Sequence, residues 1–169
     1  MALSMYQASV PVFTRTLGNL SAVLDKAAAF AAARKVDQAV LLGLRLYPDM
    51  FSLAKQVQIA CDFAKGATSR LAGVEVPSWE DNEKSIDDLK ARIARTLDYL
   101  KGFQPAQIDG SEAREITRPI GGTPKTFTGL NYLLQFVLPN FYFHSVTAYA
   151  ILRHNGVEIG KKDFIGQVG

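Results

Sequence analysis

This chain has little of what most catalytic and metal sites are built from: it has one cysteine and two histidines in 169 residues. A single cysteine, Cys61, cannot form an internal disulfide, which is typical of a protein in the reducing cytoplasm. Two histidines exclude a three-histidine metal site within one chain. The sequence also lacks Gly-x-Ser-x-Gly, Cys-x-x-Cys and Gly-x-x-x-x-Gly-Lys-Ser/Thr patterns, so no nucleophile elbow, dithiol or phosphate loop is indicated.

The chain also lacks an excess of one charge and any long apolar run. Its 19 lysines and arginines face 16 aspartates and glutamates, which gives a net charge of +3. Nucleic-acid binding needs a clustered basic face, so we expect no nucleic-acid partner. No segment approaches the roughly 20 apolar residues of a membrane span, and the N-terminus lacks a signal-peptide pattern. We therefore expect a cytoplasmic protein with no membrane association.

What is present is a composition ordinary for a globular protein, with 48% hydrophobic and 21% charged residues. The length suits a single domain over residues 1–169. Four long segments carry apolar residues three or four positions apart, the spacing of an amphipathic helix. The predicted long helices cover residues 4–34, 47–73, 85–102 and 126–155. Four such helices predict an all-α bundle.

Local signals mark where these helices begin and end. Pro11 either starts the regular part of the first helix or kinks it. Asp37 can cap a short second helix, and Ser85 with Asp88 resembles a capping box. Residues 107–124 break the helical rhythm and predict a long loop, or a small hairpin about Asp109-Gly110, before the last helix.

The last predicted helix is apolar on nearly every face, yet it carries Asn140 and His144 one turn apart. A buried polar group without a partner costs about 1–3 kcal/mol. The two side chains therefore either bond to each other or to neighbouring helices, or they line a ligand pocket that water partly fills. Gln56 and Asp49 can face the bundle interior from the second long helix, although Asp49 also suits a helix N-terminus. We predict a ligand pocket formed by Asp49, Gln56, Asn140 and His144.

The chain resembles a bacterial family catalogued as a domain of unknown function and related to the DinB/YfiT-like superfamily. The resemblance covers almost the whole chain and rests on residues 47–51, 56–65, 139–144, 153–157 and 160–164. It implies a DinB-like four-helix bundle in an up-down-down-up arrangement. It also implies a homodimer, because members of the superfamily are often dimeric.

Many members of that superfamily hold a divalent metal on three histidines and act as thiol-dependent transferases or hydrolases. In this chain the corresponding positions hold Gln56, Asn140 and His144, so one imidazole remains and two positions carry amides. Amide oxygens are weak zinc ligands. We therefore predict that the purified protein lacks stoichiometric zinc. If a divalent metal is the cofactor, these three residues are its expected ligands.

These observations favour an uncharacterised DinB-like protein whose degenerate metal site binds a small molecule or only holds the bundle together. The alternative is a metal-dependent transferase or hydrolase, in which the metal activates water. A metal-free enzyme would instead use His144 as a general base that a carboxylate orients.

Overall fold

The computed structural model describes residues 3–167, and four long helices make up almost half of it. The elements, in chain order, are α1 (Val10–Arg34), α2 (Gln38–Gly43), α3 (Leu53–Ala72), α4 (Ile86–Lys101), α5 (Pro105–Ile108), β1 (Glu115–Ile120), β2 (Thr123–Thr128), α6 (Gly129–Asn131), a π-helical segment (Tyr132–Val137), α7 (Leu138–His154) and α8 (Lys161–Ile165). The long helices α1, α3, α4 and α7 pack against one another around one apolar core. The prediction of a helical protein is confirmed, but a strictly all-α fold is wrong because β1 and β2 form a small antiparallel sheet.

Helix α1 begins at Val10 and not at Ser4, and Pro11 lies in its first turn. A proline is tolerated there because its missing N–H has no partner within the helix. Pro11 therefore starts the regular helix and does not kink it. Asp37 caps α2 as predicted, with its Oδ1 accepting a hydrogen bond from the Ala39 N–H at 2.9 Å, but α2 ends at Gly43, before Leu46.

Helix α3 begins six residues later than the sequence pattern indicated, at Leu53. Tyr47 to Asp49 are exposed and form a turn that the Met50 N–H closes on the Tyr47 carbonyl. The prediction that Pro48 lies in the first helical turn is therefore wrong, and Asp49 is not a helix N-terminal carboxylate. The Leu53 N–H instead donates to the Leu44 carbonyl at 2.8 Å, which fixes the start of α3 from outside the helix.

The start of α4 was predicted correctly, because its signal is local. Ser85 Oγ accepts from the Asp88 N–H at 3.1 Å, and Asp88 Oδ2 accepts from the Ser85 N–H at 3.0 Å. This reciprocal pair is the capping box that the sequence indicated. Between α3 and α4, residues 73–85 run as an extended loop across the two helices.

A hairpin does precede the last helix, but the predicted turn is wrong. β1 pairs with β2 around Gly121-Gly122 and not around Asp109-Gly110. Both turn glycines have positive φ, 56° and 81°, as a type I′ hairpin turn requires. The second strand continues to Thr128, so the last helix cannot begin at Thr126 as predicted.

The last helical run changes pitch before it becomes α7. The π-helical segment Tyr132–Val137 leads directly into α7, and Pro139 lies in the first turn of α7. A proline cannot donate to the preceding turn, so the change of hydrogen-bond pattern falls where the donor is missing. This segment presents Tyr132 and Phe136 to α3 and the hairpin. Within residues 3–167, no helix is both long enough and apolar enough to cross a bilayer.

Candidate functional site

The structure joins Gln56 of α3 to His144 of α7. His144 Nδ1 lies 2.7 Å from Gln56 Oε1, and both side chains are buried. The other end of the amide is also bonded, since Gln56 Nε2 donates to the Phe51 carbonyl at 3.2 Å. The two polar groups therefore satisfy each other across the interface between α3 and α7.

These hydrogen bonds also determine which nitrogen of the His144 ring carries the proton. Because Gln56 Nε2 is the donor to Phe51, Gln56 Oε1 is the atom that faces His144, and an amide oxygen only accepts. His144 Nδ1 must therefore carry the proton and donate it. In the neutral ring, the lone pair then resides on Nε2.

The surroundings of His144 keep its ring neutral. Burial lowers the pKa of His144 below its ordinary value. The ring stacks on Phe63 with centroids 5.9 Å apart, and the edge of Phe143 meets it at 5.3 Å. No carboxylate orients the imidazole within residues 3–167, since an amide holds Nδ1. The metal-free general-base arrangement considered from the sequence, with an orienting carboxylate, is therefore not what the structure has.

The other two predicted pocket residues do not join this pair. Asn140 Nδ2 donates to the Phe136 carbonyl at 2.7 Å, one turn back in its own helical run. Asp49 is exposed in the turn before α3. The structure thus brings together two of the four predicted residues, Gln56 and His144.

The residues at these positions do not suit a divalent metal. The donors would be one imidazole and two amides, and the amide NH2 groups of Gln56 and Asn140 are already bonded to backbone carbonyls. The described part of the chain holds no group of three His, Cys, Asp or Glu side chains that could bind a metal ion. A zinc site needs thiolate, imidazole or carboxylate ligands, so this donor set does not fit the metal that the superfamily resemblance implies.

A cavity of about 350 Å³, called the α3 cavity here, has in its wall Phe63, the ring on which His144 stacks. Helix α3, the loop after it, strand β1 and the π-helical segment all contribute to its walls. Its lining includes Asp62, Phe63, Arg70, Trp79, Arg118 and Tyr132. Phe63 is therefore shared between the buried pair and the cavity.

Aromatic rings hold the hairpin over this cavity. Phe127 of β2 lies 5.6 Å from Phe136 and 6.0 Å from Tyr132, measured between ring centroids. The guanidinium carbon of Arg118 lies 4.9 Å from the Phe136 ring and 5.8 Å from the Phe63 ring. Cation–π contacts of this kind contribute about 0.5–1 kcal/mol each.

A second polar cluster, the Arg92 network, lies on the α4 side of α3. Arg92 is buried, and its two terminal nitrogens contact Asp62, Asp81 and Glu83 at 3.1, 2.9 and 2.8 Å. Arg92 Nη1 also donates to the Glu80 carbonyl. These contacts tie the 73–85 loop to α3 and α4.

Other members of the Arg92 network are held just as firmly. Gln58 Nε2 donates to Glu83 Oε2 at 2.7 Å, and Lys55 pairs with Asp81 at 2.6 Å. Burial raises the pKa of Asp81, but the hydrogen bond from Lys55 and the charge of Arg92 outweigh it, so this pKa lies below its ordinary value. The network balances cations against carboxylates, and among the described residues Arg92 Nε is its buried nitrogen without a hydrogen-bond partner.

The lone cysteine has no reactive character. Cys61 lies fully buried between α3 and α4, and burial raises the pKa of its thiol to about 12. A thiol that stays protonated at neutral pH is a poor nucleophile and a poor metal ligand.

Sequence reasoning missed the α3 cavity because its residues come from four separate segments. Two local signals were present: Lys65 follows Ala64 on the apolar side of α3, and Gly66 stands in mid-helix, where glycine is costly. Neither signal shows that Arg118, more than fifty positions away, completes the same wall.

The family model described as "Domain of unknown function (DUF1993)" matches residues 5–165. A solved crystal structure of a DinB family member protein from Shewanella denitrificans is 45% identical to this chain, with a TM-score of 0.91. That match covers 96% of this chain and 92% of the other. No curated protein matches the chain significantly.

Proposed function

The chain belongs to the DUF1993 family and is similar to a DinB family protein, and from this premise we propose that it binds a small organic molecule in the α3 cavity. The observation that carries the proposal is the cavity itself. A volume of about 350 Å³ lies within the range of small-molecule sites, and aromatic and polar side chains mix in its walls as they do in such sites.

The Gln56–His144 pair forms part of the support for this site in the proposal. The imidazole of the pair stacks on Phe63 and so helps to hold that ring, which lines the cavity. In this interpretation the pair is a metal-free remnant of the superfamily's metal site, without Asn140 and Asp49, which do not join it. A transferase or hydrolase reaction through a metal gains no support from the donor set.

We also propose that the four long helices run in up-down-down-up order, that the protein is cytoplasmic, and that it has no nucleic-acid or membrane partner. A homodimer is proposed as well. Leu134, Tyr142 and Val146 repeat along one side of the last helical run and are exposed, which gives a second copy an apolar surface to cover. A monomer mass in light scattering at micromolar concentration would contradict the dimer.

The sole tryptophan makes the binding proposal testable without a label on the ligand. Trp79 lines the α3 cavity, and its indole N–H gives a single cross-peak in a ¹⁵N correlation spectrum. Titration with neutral and charged benzene derivatives should shift this peak at millimolar concentration.

A pair of matched variants tests whether the cavity is the place of binding. Gly66→Leu projects a side chain into the cavity and should abolish the shift. Gly18→Leu on α1 adds the same side chain where a Cβ meets nothing within 4 Å, and it should leave the shift unchanged. If no compound shifts the Trp79 peak in the unmodified protein, the proposed function is wrong.

A further inference from the structure

We infer that the α3 cavity selects an organic anion, a carboxylate or a phosphate monoester attached to a flat apolar group. This inference rests on the proposed function, because it names the chemical class that the same cavity takes. Three cations, Lys65, Arg70 and Arg118, line the cavity against one carboxylate, Asp62.

The single carboxylate is already engaged. Asp62 Oδ1 lies 2.9 Å from Lys65 Nζ and 3.1 Å from Arg92 Nη2. It therefore balances charge on the side that faces the Arg92 network. The positive charge of the two cavity arginines remains uncompensated within residues 3–167.

Arg118 is the clearest case of a cation without a partner. Its Nε is buried and has no hydrogen-bond partner among the described residues, which is also true of Arg92 Nε. Unlike Arg92, however, Arg118 forms no ion pair within residues 3–167. The rings of Phe136 and Phe63 hold its guanidinium from the apolar side. Its cross-strand neighbour in the hairpin register is Lys125, another cation. Like charges directly opposite each other destabilise a strand pair unless an anion relieves them.

Arg70 supplies the second contact from the helix. Arg70 Nη1 donates to Tyr132 Oη at 3.2 Å, and a phenol oxygen does not neutralise the guanidinium charge. A Cβ at Gly66 would lie 2.6 Å from Arg70 Nη1, so the missing side chain makes room for the guanidinium over the helix. The cavity therefore keeps a glycine in mid-helix, where alanine would favour the helix, and that glycine places a cation in its wall.

The apolar walls define the rest of the ligand. Phe63 and Ile59 of α3 and the ring of Tyr132 face the same space as the two arginines. An arginine pair recognises the paired oxygens of a carboxylate or phosphate through parallel N–H donors. A flat apolar body beside such an anionic group fits the combination of arginines and rings.

The test compares two probes of nearly equal shape, benzoate and benzamide, by titration of the Trp79 indole cross-peak. We expect benzoate to bind about tenfold more tightly than benzamide, which corresponds to about 1.4 kcal/mol of binding free energy. Phenyl phosphate should bind at least as well as benzoate if the site prefers a phosphate monoester, and more weakly if it prefers a carboxylate. Inorganic phosphate alone should bind more weakly than either, because it lacks the apolar body.

Three variants test which residues cause the preference for benzoate over benzamide. Arg118→Gln should reduce the benzoate preference to about twofold while benzamide binding stays unchanged, and Arg70→Gln on the rigid helix should do the same. Arg153→Gln removes an equal charge from an exposed position in the last turn of α7 and should change nothing.

The outcomes separate the two proposals. Equal binding of benzoate and benzamide to the unmodified protein would overturn the anion inference and leave the cavity as a binding site. An equal loss in Arg118→Gln and Arg153→Gln would overturn it too, because net charge alone would then be responsible. Failure of every probe to shift the Trp79 peak would overturn both the inference and the proposed function.

Discussion

Arg92 and Arg118 both approach α3, but their surroundings differ, since Arg92 is buried and Arg118 is half-buried at the wall of the α3 cavity. Arg92 meets three carboxylates and a carbonyl oxygen, all within 3.1 Å. Arg118 rests on aromatic rings and meets no carboxylate in the described part of the chain. The charge of Arg92 is therefore neutralised by carboxylates, whereas Arg118 is a cation in the wall of the α3 cavity.

The difference indicates which polar groups hold the fold and which are available to a ligand. The Gln56–His144 pair belongs with the Arg92 network, since both of its members are buried and bonded to each other. Substitutions in the Arg92 network or in the Gln56–His144 pair should lower the free energy of unfolding. Changes in the wall of the α3 cavity should cost binding and leave stability almost intact.

The largest effect is expected from Arg92→Met. Removing the guanidinium leaves Glu83, whose side chain is 7% exposed, as a buried charge without its main partner. Breaking a buried pair in this way costs about 3–5 kcal/mol, to be measured by urea unfolding. Lys101→Met is the matched control, because its pair with Asp98 is exposed and contributes at most about 1 kcal/mol. Equal losses in the two variants would remove the distinction between the closed network and the surface.

His144→Ala comes next. The change leaves Gln56 Oε1 buried and unpaired, which costs about 1–3 kcal/mol in the free energy of unfolding, with a cavity contribution added. His154→Ala, in the exposed last turn of α7, is the control and should cost less than about 1 kcal/mol. A loss below about 1 kcal/mol for His144→Ala would instead favour the hydrated ligand pocket that the sequence left open.

The pH dependence of stability gives a smaller effect of known sign. Burial lowers the folded-state pKa of His144, so the unfolded chain binds a proton more readily than the native one. The stability that this pKa difference contributes is fully present above the unfolded-state pKa of about 6.5. It is lost as the pH falls from there through the folded-state pKa of His144. Urea unfolding between pH 8 and about pH 5 should show this loss in wild type and in His154→Ala. The same slope in His144→Ala would contradict the assignment.

Gly66→Ala should have the smallest effect on stability. Alanine favours a helix interior by up to about 1 kcal/mol over glycine, and the only close contact of the new Cβ is the mobile end of Arg70. The free energy of unfolding should therefore stay the same or rise, while benzoate binding weakens as Arg70 is displaced. Gly18→Ala on α1 gains the same helix propensity without affecting binding. A clear loss of stability in Gly66→Ala alone would mean that the fold, and not the cavity, requires this glycine.

Local chemistry made several elements predictable. The capping box at Ser85 and Asp88 closes within four residues. Pro11 suited either the first turn of α1 or a kink, and the structure has it in the first turn. The end of α3 was also predicted, since Gly73 takes a positive φ of 71° there. Each of these signals depends on neighbours a few positions away.

Elements with competing local signals were predicted less well. Asp109-Gly110 and Gly121-Gly122 both suit a tight turn, and Gly110 does adopt a positive φ. Only the second pair lies between strands that can pack, because Ile116 and Phe127 are cross-strand neighbours that reach the core. In the same way, Pro48 suits a first helical turn, but the backbone bond from Leu53 to Leu44 starts α3 later.

The sequence by itself determined a helical protein with a polar pair in its most apolar helix, because periodicity and capping are properties of short stretches of chain. Only the tertiary structure decided what those polar groups meet. His144 bonds to a residue 88 positions away, and Arg92 meets a carboxylate 30 positions away. Arg118 reaches its aromatic support only after the hairpin folds over α3. Such partners are set by how whole elements pack, so which polar clusters close and which cavity stays open is decided by the packed fold.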